Sequence, residues 1–413
     1  MRVGQAVVLI GGLGTRLGVL TRDVPKPLLD VDGRPFLEYV VAHLARFGVT
    51  EILLLAGYHG ALVRERYDGR RLFGATIAVS IEPGPLGTAG ALVHAADRLG
   101  DRFLLCNGDT FFDADLLPLL RLADDSGCEA AMLLREVDGG GRYGCVDLGA
   151  DGAIRRFLEK PADGDGPALI NSGIYLVRRE PILAAIDATP ASLERDVFPK
   201  LVARGALRGV RASGYFVDIG IPDDLAAART ELPRRRTRPA VFLDRDGVLN
   251  LDAGYTHRPG QLEWVETAPA AVRMLNEAGF YVLVVTNQAG VARGYYDEAA
   301  VRSFHAQMQD DLLREGAHVD GFYHCPHHPD GTVEGFAIRC DCRKPEPGLL
   351  RQAASDWPID ASQSFLVGDK DSDLAAAAAF GVRGVKYEPG GPLLAELVAH
   401  HVLTSRGHDV KVA

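Results

Sequence analysis

Tryptophan occurs twice, methionine four times and cysteine six times in 413 residues, and no apolar run approaches the roughly 20 residues of a membrane span. So few cysteines in so long a chain exclude a disulfide scaffold. Cys106, Cys128 and Cys145 are scattered and read as small core residues, whereas the other three crowd between positions 325 and 342. Val7 to Ile10 is too short for the apolar core of a secretory signal, and glycines follow at once. A cytoplasmic location without a membrane partner is therefore expected. Positive charge is also in short supply: the net charge is −10, which argues against a general nucleic-acid binder. Anionic small molecules stay open, because glycine loops, helix N-termini and cations hold phosphate whatever the global charge.

What is present suggests two beginnings. Length alone favours two domains, each able to bury a full core. Ala6 to Ile10 reads as a buried strand, followed by the glycine-rich Gly11-Gly12-Leu13-Gly14-Thr15-Arg16-Leu17. No Gly-Lys-Ser/Thr ends that loop, so it is not a Walker loop. Next comes Pro25-Lys26-Pro27-Leu28, where two prolines hold Lys26 extended and Arg16 and Lys26 could face one polyphosphate. Past the middle, Pro233-Arg234-Arg235-Arg236-Thr237-Arg238-Pro239 reads as a linker. Ala240 to Leu243 then reads as a second buried strand, ending in Asp244-Arg245-Asp246-Gly247. The expected layout is 1–232, a linker at 233–239, a second domain at 240–400 and a tail at 401–413.

The first half resembles the sugar-1-phosphate nucleotidyltransferases, which join a sugar 1-phosphate to a nucleoside triphosphate and release pyrophosphate. The resemblance rests on the two motifs above and on Glu82-Pro83-Gly84-Pro85-Leu86-Gly87-Thr88-Ala89-Gly90, Asn107-Gly108-Asp109, Glu159-Lys160-Pro161, Asn171-Ser172-Gly173 and Val217-Asp218-Ile219-Gly220. It implies a Rossmann-like α/β domain with a mixed sheet. Gly11, Gly12, Gly14, Thr15, Gly87 and Thr88 would bind nucleotide, and Arg16 and Lys26 would neutralise the triphosphate. Lys160 would meet the sugar phosphate, Glu159 and Asn171 its hydroxyls, and Asp109 and Asp218 would hold Mg²⁺, which prefers carboxylate oxygens. Gly139-Gly140-Gly141 reads as a turn beside the sugar, and Arg142-Tyr143-Gly144 resembles a sugar-facing segment. One departure is Ile10, where the family usually has alanine; its bulk bears on how the base sits.

The second half resembles haloacid-dehalogenase-type phosphatases, again a doubly wound α/β domain, here without an insertion long enough for a large cap. Asp244 would be the nucleophile and Asp246 the acid and base. Thr286 and Asn287 end a second strand and would meet phosphate, as would Arg343 and Lys344. A third strand ends in Asp369-Lys370-Asp371-Ser372-Asp373. Asp369 would bind Mg²⁺ with Asp244 and Asp246, and Asp373 would cap or orient. Cys325, His327, Cys340 and Cys342 form a Cys₃His set whose two short pairs suit structural Zn²⁺. His324 and His328 compete for the histidine role, and reduced core cysteines are the alternative. This loop resembles the bacterial D-glycero-D-manno-heptose 1,7-bisphosphate 7-phosphatases and the related histidinol phosphatases.

Together the halves imply a bifunctional enzyme acting on small molecules, a sugar phosphate and a nucleoside triphosphate, with a homo-oligomer compatible with either domain. The expected product is GDP-D-glycero-α-D-manno-heptose. The rivals are a mannose-1-phosphate guanylyltransferase or other hexose enzyme fused to a histidinol-phosphate-type phosphatase, and a chain in which one domain only binds or regulates.

Overall fold

In the first unit the strand Gln5–Leu9 lies at the centre of a ten-stranded sheet. It runs parallel to Glu51–Ala56 on one side and to Arg102–Asn107 on the other, and Ala75–Ile81 continues the parallel half. Ala6, Val7 and Val8 are fully buried, as an all-apolar strand covered on both faces must be. Val7, Leu53, Leu55 and Leu105 share a core cluster with Ala89 and Leu92 of the helix Gly87–His94 and with Phe198 and Leu201 of Phe198–Ala203. The alternate residues Val8, Leu54 and Leu104 are equally buried, so the opposite face is covered too. Antiparallel pairing of Pro167–Arg178 with Arg102–Asn107 makes the sheet mixed, as expected. The structure, a computed structural model, describes residues 3–393, 395 and 397, except 13, 126, 139–144 and 159–166.

The chain divides into two compact units that part after Pro233. Residues 233–236, expected within a linker, are the last turn of the helix Pro222–Arg236. Arg234, Arg235 and Arg236 stand at its C-terminal end, where positive charge complements the helix dipole. Ala240–Leu243 then opens the second unit.

That unit is built on a five-stranded parallel sheet: Gly321–Cys325, Tyr281–Asn287, Ala240–Leu243, Phe365–Gly368 and Arg383–Lys386, in that spatial order. In order along the chain these are strands 3-2-1-4-5. The order reverses between Ala240–Leu243 and Phe365–Gly368, and a crevice forms beyond the C-terminal ends of strands at such a switch. Asp244 and Asp369 each follow one of those two strands directly. Between Leu243 and Ala268 the only helical piece is the single turn Pro259–Gln261, so no cap domain is inserted there. The helix Asp371–Phe380 follows Asp369 and carries five consecutive alanines, Ala375 to Ala379, of which Ala376 and Ala377 are buried.

Candidate active sites

Two sites form, one in each unit. In the first, Gly11 follows the central strand so closely that a Cβ there would come within 2.9 Å of Glu82 Oε1. Gly14 adopts a left-handed conformation (φ 61°) that turns the chain into the short helical segment Thr15–Thr21, and Thr21 Oγ1 donates back to its carbonyl at 3.0 Å. Arg16 is exposed there, and Gly12 has open space where a side chain would stand. Ile10 is buried, and its branched side chain covers Gly108, where a Cβ would clash. The bulk that departs from the family pattern is thus absorbed by a glycine. The Thr15 side chain and the whole of Glu159, Lys160 and residues 139–144 lie outside the described residues.

Asp109 and Asp218 meet because a small antiparallel ladder pairs Thr110–Asp113 with Tyr215–Asp218, setting Asp218 opposite Thr110. Lys26 Nζ lies between them, 2.6 Å from Asp109 Oδ2 and 3.2 Å from Asp218 Oδ1. Burial, and then the Asp109 charge, push the Asp218 carboxyl above the usual range. Two carboxylates converging on one cation of the chain's own offer the hard oxygen donors that a divalent ion prefers.

Gly87 has φ 77°, and a Cβ on it would strike the Ala191 carbonyl. Thr88 Oγ1 accepts from Leu193 N at 2.8 Å and faces Glu194 Oε2 at 3.4 Å. Asn171 Nδ2 donates to Tyr175 Oη at 2.7 Å, and Tyr175 Oη donates to Glu194 Oε1 at 3.4 Å. Glu194 therefore joins the nucleotide-loop threonine to the sugar-loop asparagine, a role no motif announced. Glu82 directly follows the strand Ala75–Ile81. Its Oε2 accepts from Leu86 N at 3.1 Å, and burial raises its pKa.

In the second unit Lys344 Nζ lies 2.8 Å from Asp244 Oδ1 and 2.7 Å from Asp373 Oδ1, and donates to the Val285 carbonyl at 2.8 Å. All three charged side chains are buried. Burial pushes Asp244 up to about 6, with Lys344 opposing and Asp373 adding to the rise. Burial also works against the Lys344 ammonium, but Asp244 and Asp373 outweigh it and leave its pKa raised. Asp373 caps the helix Asp371–Phe380 by accepting from Lys370 N at 3.0 Å, so it both caps and orients. Asp244, Asp369 and Asp373 bring one oxygen each within 4.8 Å of one another. Asp369 Oδ1 is buried with no hydrogen-bond partner among the described residues, which fits a cation's ligand. The Asp246 carboxylate faces donors instead: Arg245, Asn250 and Gln288. Gly247 (φ 94°) passes so close to Asp369 that a Cβ would lie 2.7 Å from its Oδ2. Asp244, Asp246, Gln288, Lys344 and Asp373 line a pocket of about 220 Å³ together with Thr286, Tyr255 and Tyr296.

Cys325, His327, Cys340 and Cys342 converge, their ligand atoms all within 4.8 Å of one another. The Sγ–Sγ distances are 3.2, 3.3 and 3.5 Å, and His327 Nδ1 stands 3.3 Å from Cys342 Sγ. Sulfurs about 2.3 Å from one tetrahedral ion stand roughly 3.7 Å apart, so the set fits zinc far better than disulfide bonding. His324 instead pairs with Glu298 at 3.1 Å. The loop leads straight into Arg343, whose Nη1 donates to the His327 carbonyl at 3.3 Å, and Lys344.

Comparison with known proteins matches each unit to a family. A family model described as nucleotidyl transferase matches residues 5–235, and one described as HAD-hydrolase-like matches residues 341–403. The D-glycero-beta-D-manno-heptose-1,7-bisphosphate 7-phosphatase of Rhodopseudomonas palustris is 46% identical over 151 residues, 37% of this chain and 84% of that protein. The Escherichia coli K12 protein of the same name is 44% identical over 170 residues, 40% of this chain and 89% of that protein. Among solved structures, HddC from Yersinia pseudotuberculosis complexed with GMP-PN is 31% identical; the match covers 56% of this chain and all of that one, with a TM-score of 0.49. UTP-bound UGPase from Acinetobacter baumannii, 21% identical, shares the fold of the first unit at a TM-score of 0.50, covering 56% of this chain and 94% of that one. The chain is thus an enzyme of two catalytic units, belonging through residues 5–235 to the nucleotidyl transferase family and through its second unit to the D-glycero-β-D-manno-heptose-1,7-bisphosphate 7-phosphatases.

Proposed function

We propose that the chain makes a nucleotide-activated heptose in two steps. The second unit removes the 7-phosphate of a D-glycero-D-manno-heptose 1,7-bisphosphate. The first unit joins the resulting heptose 1-phosphate to a nucleotidyl group, GMP, and releases pyrophosphate. The observation that carries this reading is the buried Asp244–Lys344–Asp373 triad beside a Cys₃His loop, in one chain with the Lys26–Asp109–Asp218 cluster.

In the phosphatase unit, a carboxylate oxygen of Asp244 attacks phosphorus while the bond to the sugar oxygen breaks. Asp246 gives its proton to that oxygen. Water then attacks the aspartyl phosphate, and Asp246 takes the proton back. Lys344 neutralises Asp244 and the phosphate, and Thr286 donates to a phosphate oxygen. Asp244 and Asp369, with Asp373 behind them, would hold Mg²⁺, which when bound screens the repulsion between carboxylate and phosphate dianion. Cys325, His327, Cys340 and Cys342 would hold a structural Zn²⁺ that fixes the loop delivering Arg343 and Lys344.

In the transferase unit no covalent enzyme intermediate is needed, so positioning and charge neutralisation supply the rate. The sugar-phosphate oxygen attacks the α-phosphorus and pyrophosphate leaves. Lys26 and Arg16 neutralise the triphosphate; Asp109 and Asp218 would hold Mg²⁺. Glu82 supports guanine as the base. Guanine presents adjacent N1–H and N2–H donors, which a carboxylate accepts together, whereas adenine and cytosine offer an acceptor there.

The deciding assay supplies each anomer of heptose 1,7-bisphosphate with Mg²⁺ and, separately, GTP, ATP, CTP and UTP. GDP-heptose, phosphate and pyrophosphate are expected. Phosphate release with no nucleotide sugar from any triphosphate would sink the coupled reading.

A further inference from the structure

We propose that Arg245, the residue between the two aspartates, is a positioning residue that locks the Asp246 carboxyl group in the plane from which it protonates the leaving group. The inference rests on the phosphatase reading above. Arg245 is fully buried, turned into the unit's interior. Its guanidinium forks onto Asp246, Nε to Oδ1 at 3.0 Å and Nη2 to Oδ2 at 2.8 Å. The same Nη2 donates to the Thr256 carbonyl at 2.7 Å, and the guanidinium lies over the Phe304 ring, 4.6 Å from its centroid. A buried guanidinium is costly unless it is paired and hydrogen-bonded. Among the described residues its one carboxylate partner is Asp246, the acid of the proposed reaction.

The donor count gives the arrangement a direction. Asn250 Nδ2 adds a bond to Asp246 Oδ1 at 3.0 Å, and Gln288 Nε2 adds one to Oδ2 at 2.9 Å. Four donors thus meet the four lone-pair sites of a carboxylate, so one must yield before Asp246 can carry a proton. Arg245 is anchored at three further points: the Thr256 carbonyl, the Phe304 ring and His305 Nε2 at 3.4 Å. Gln288 is the exchangeable donor: it lines the pocket, as Arg245 and Asn250 do not. Although Tyr296 Oη holds its Oε1 at 2.8 Å, its Nε2 carries two N–H groups, one on Asp246 and one on Thr286 Oγ1 at 2.9 Å. A phosphate oxygen entering the pocket can take the Gln288 N–H in place of Oδ2 and so release that edge. Arg245 then keeps the carboxyl plane fixed while that edge, beside the pocket, holds the proton.

The test separates leaving groups by their need for a proton. Full-length Arg245→Lys and Arg245→Gln proteins are mixed in excess over substrate, and the first turnover is timed. p-Nitrophenolate leaves unprotonated, whereas the alkoxide of a primary sugar phosphate such as heptose 1,7-bisphosphate does not. Release of the sugar alcohol should fall at least about 30-fold in Arg245→Lys, with p-nitrophenolate release changed less than about threefold and the half-saturating enzyme concentration nearly constant. Arg245→Gln should shift the same ratio further. Equal loss with both leaving groups, no loss with either, or failure of both variants to melt cooperatively would each assign Arg245 to stability and overturn the proposal. Failure of the phosphatase reading shows separately, as unmodified protein that releases phosphate from neither substrate.

Discussion

Asn287 and Lys344 exchange two backbone-to-side-chain hydrogen bonds: Lys344 N donates to Asn287 Oδ1 at 3.1 Å, and Asn287 Nδ2 donates to the Lys344 carbonyl at 3.0 Å. The asparagine, expected to meet phosphate, has its amide committed to the backbone of the lysine that faces Asp244. Asn287→Ala should therefore lower kcat for phosphate release about 10-fold, the worth of about 1.4 kcal/mol, with KM moving much less. A steady-state phosphate-release assay checks it.

The two sites share no functional residue, so their activities should separate. Asp109→Ala should abolish nucleotidyl transfer and leave phosphatase activity intact; Asp244→Asn should do the reverse. Loss of both activities from either folded variant would contradict two independent sites.

Base choice should follow Glu82. In Glu82→Gln one carboxylate oxygen becomes an N–H₂ donor facing the guanine N–H edge. The loss should be about 2–3 kcal/mol, or about 30–150-fold in kcat/KM for GTP, and much less for ATP. Competition between the two triphosphates reads this directly.

Removing metal from the Cys₃His loop should loosen Arg343 and Lys344. Cys340→Ser, or strong chelation, should lower the melting temperature of the phosphatase unit by several degrees and suppress phosphate release in excess Mg²⁺. Nucleotidyl transfer, assayed with Mg²⁺ restored, should persist. Zinc content by elemental analysis should fall from one per chain toward zero.

His305 sets an acid limit on the same unit. Burial, followed by the Arg245 charge, holds its pKa well below the ordinary histidine value. The unfolded chain takes up a proton as pH falls through about 6.5, while the folded state resists it. The stabilisation is thus complete above that pH and lost below it, by up to about 1.4 kcal/mol per pH unit. Thermal melts at pH 8 and pH 5.5 should diverge less in His305→Gln than in the unmodified protein.

The two-unit α/β character, the strand ends that carry Asp109, Asp244 and Asp369, and the four zinc-type ligands are legible along the chain. Each is a local pattern: a short apolar run, a glycine or acidic residue at its end, or a close pair of soft ligands. No local pattern shows which distant groups meet; Asp109 with Asp218, and Asp244 with Asp369, are paired in the sequence only through family resemblance. Asp218 reaches Asp109 only because a two-stranded ladder sets it opposite Thr110. Glu194 joins Thr88 to Asn171 through Tyr175, and nothing in its neighbours' periodicity marks it. Arg245 is, along the chain, only the residue between two aspartates. Only the tertiary structure turned it inward, because a buried guanidinium must find its carboxylate and carbonyl partners in three dimensions.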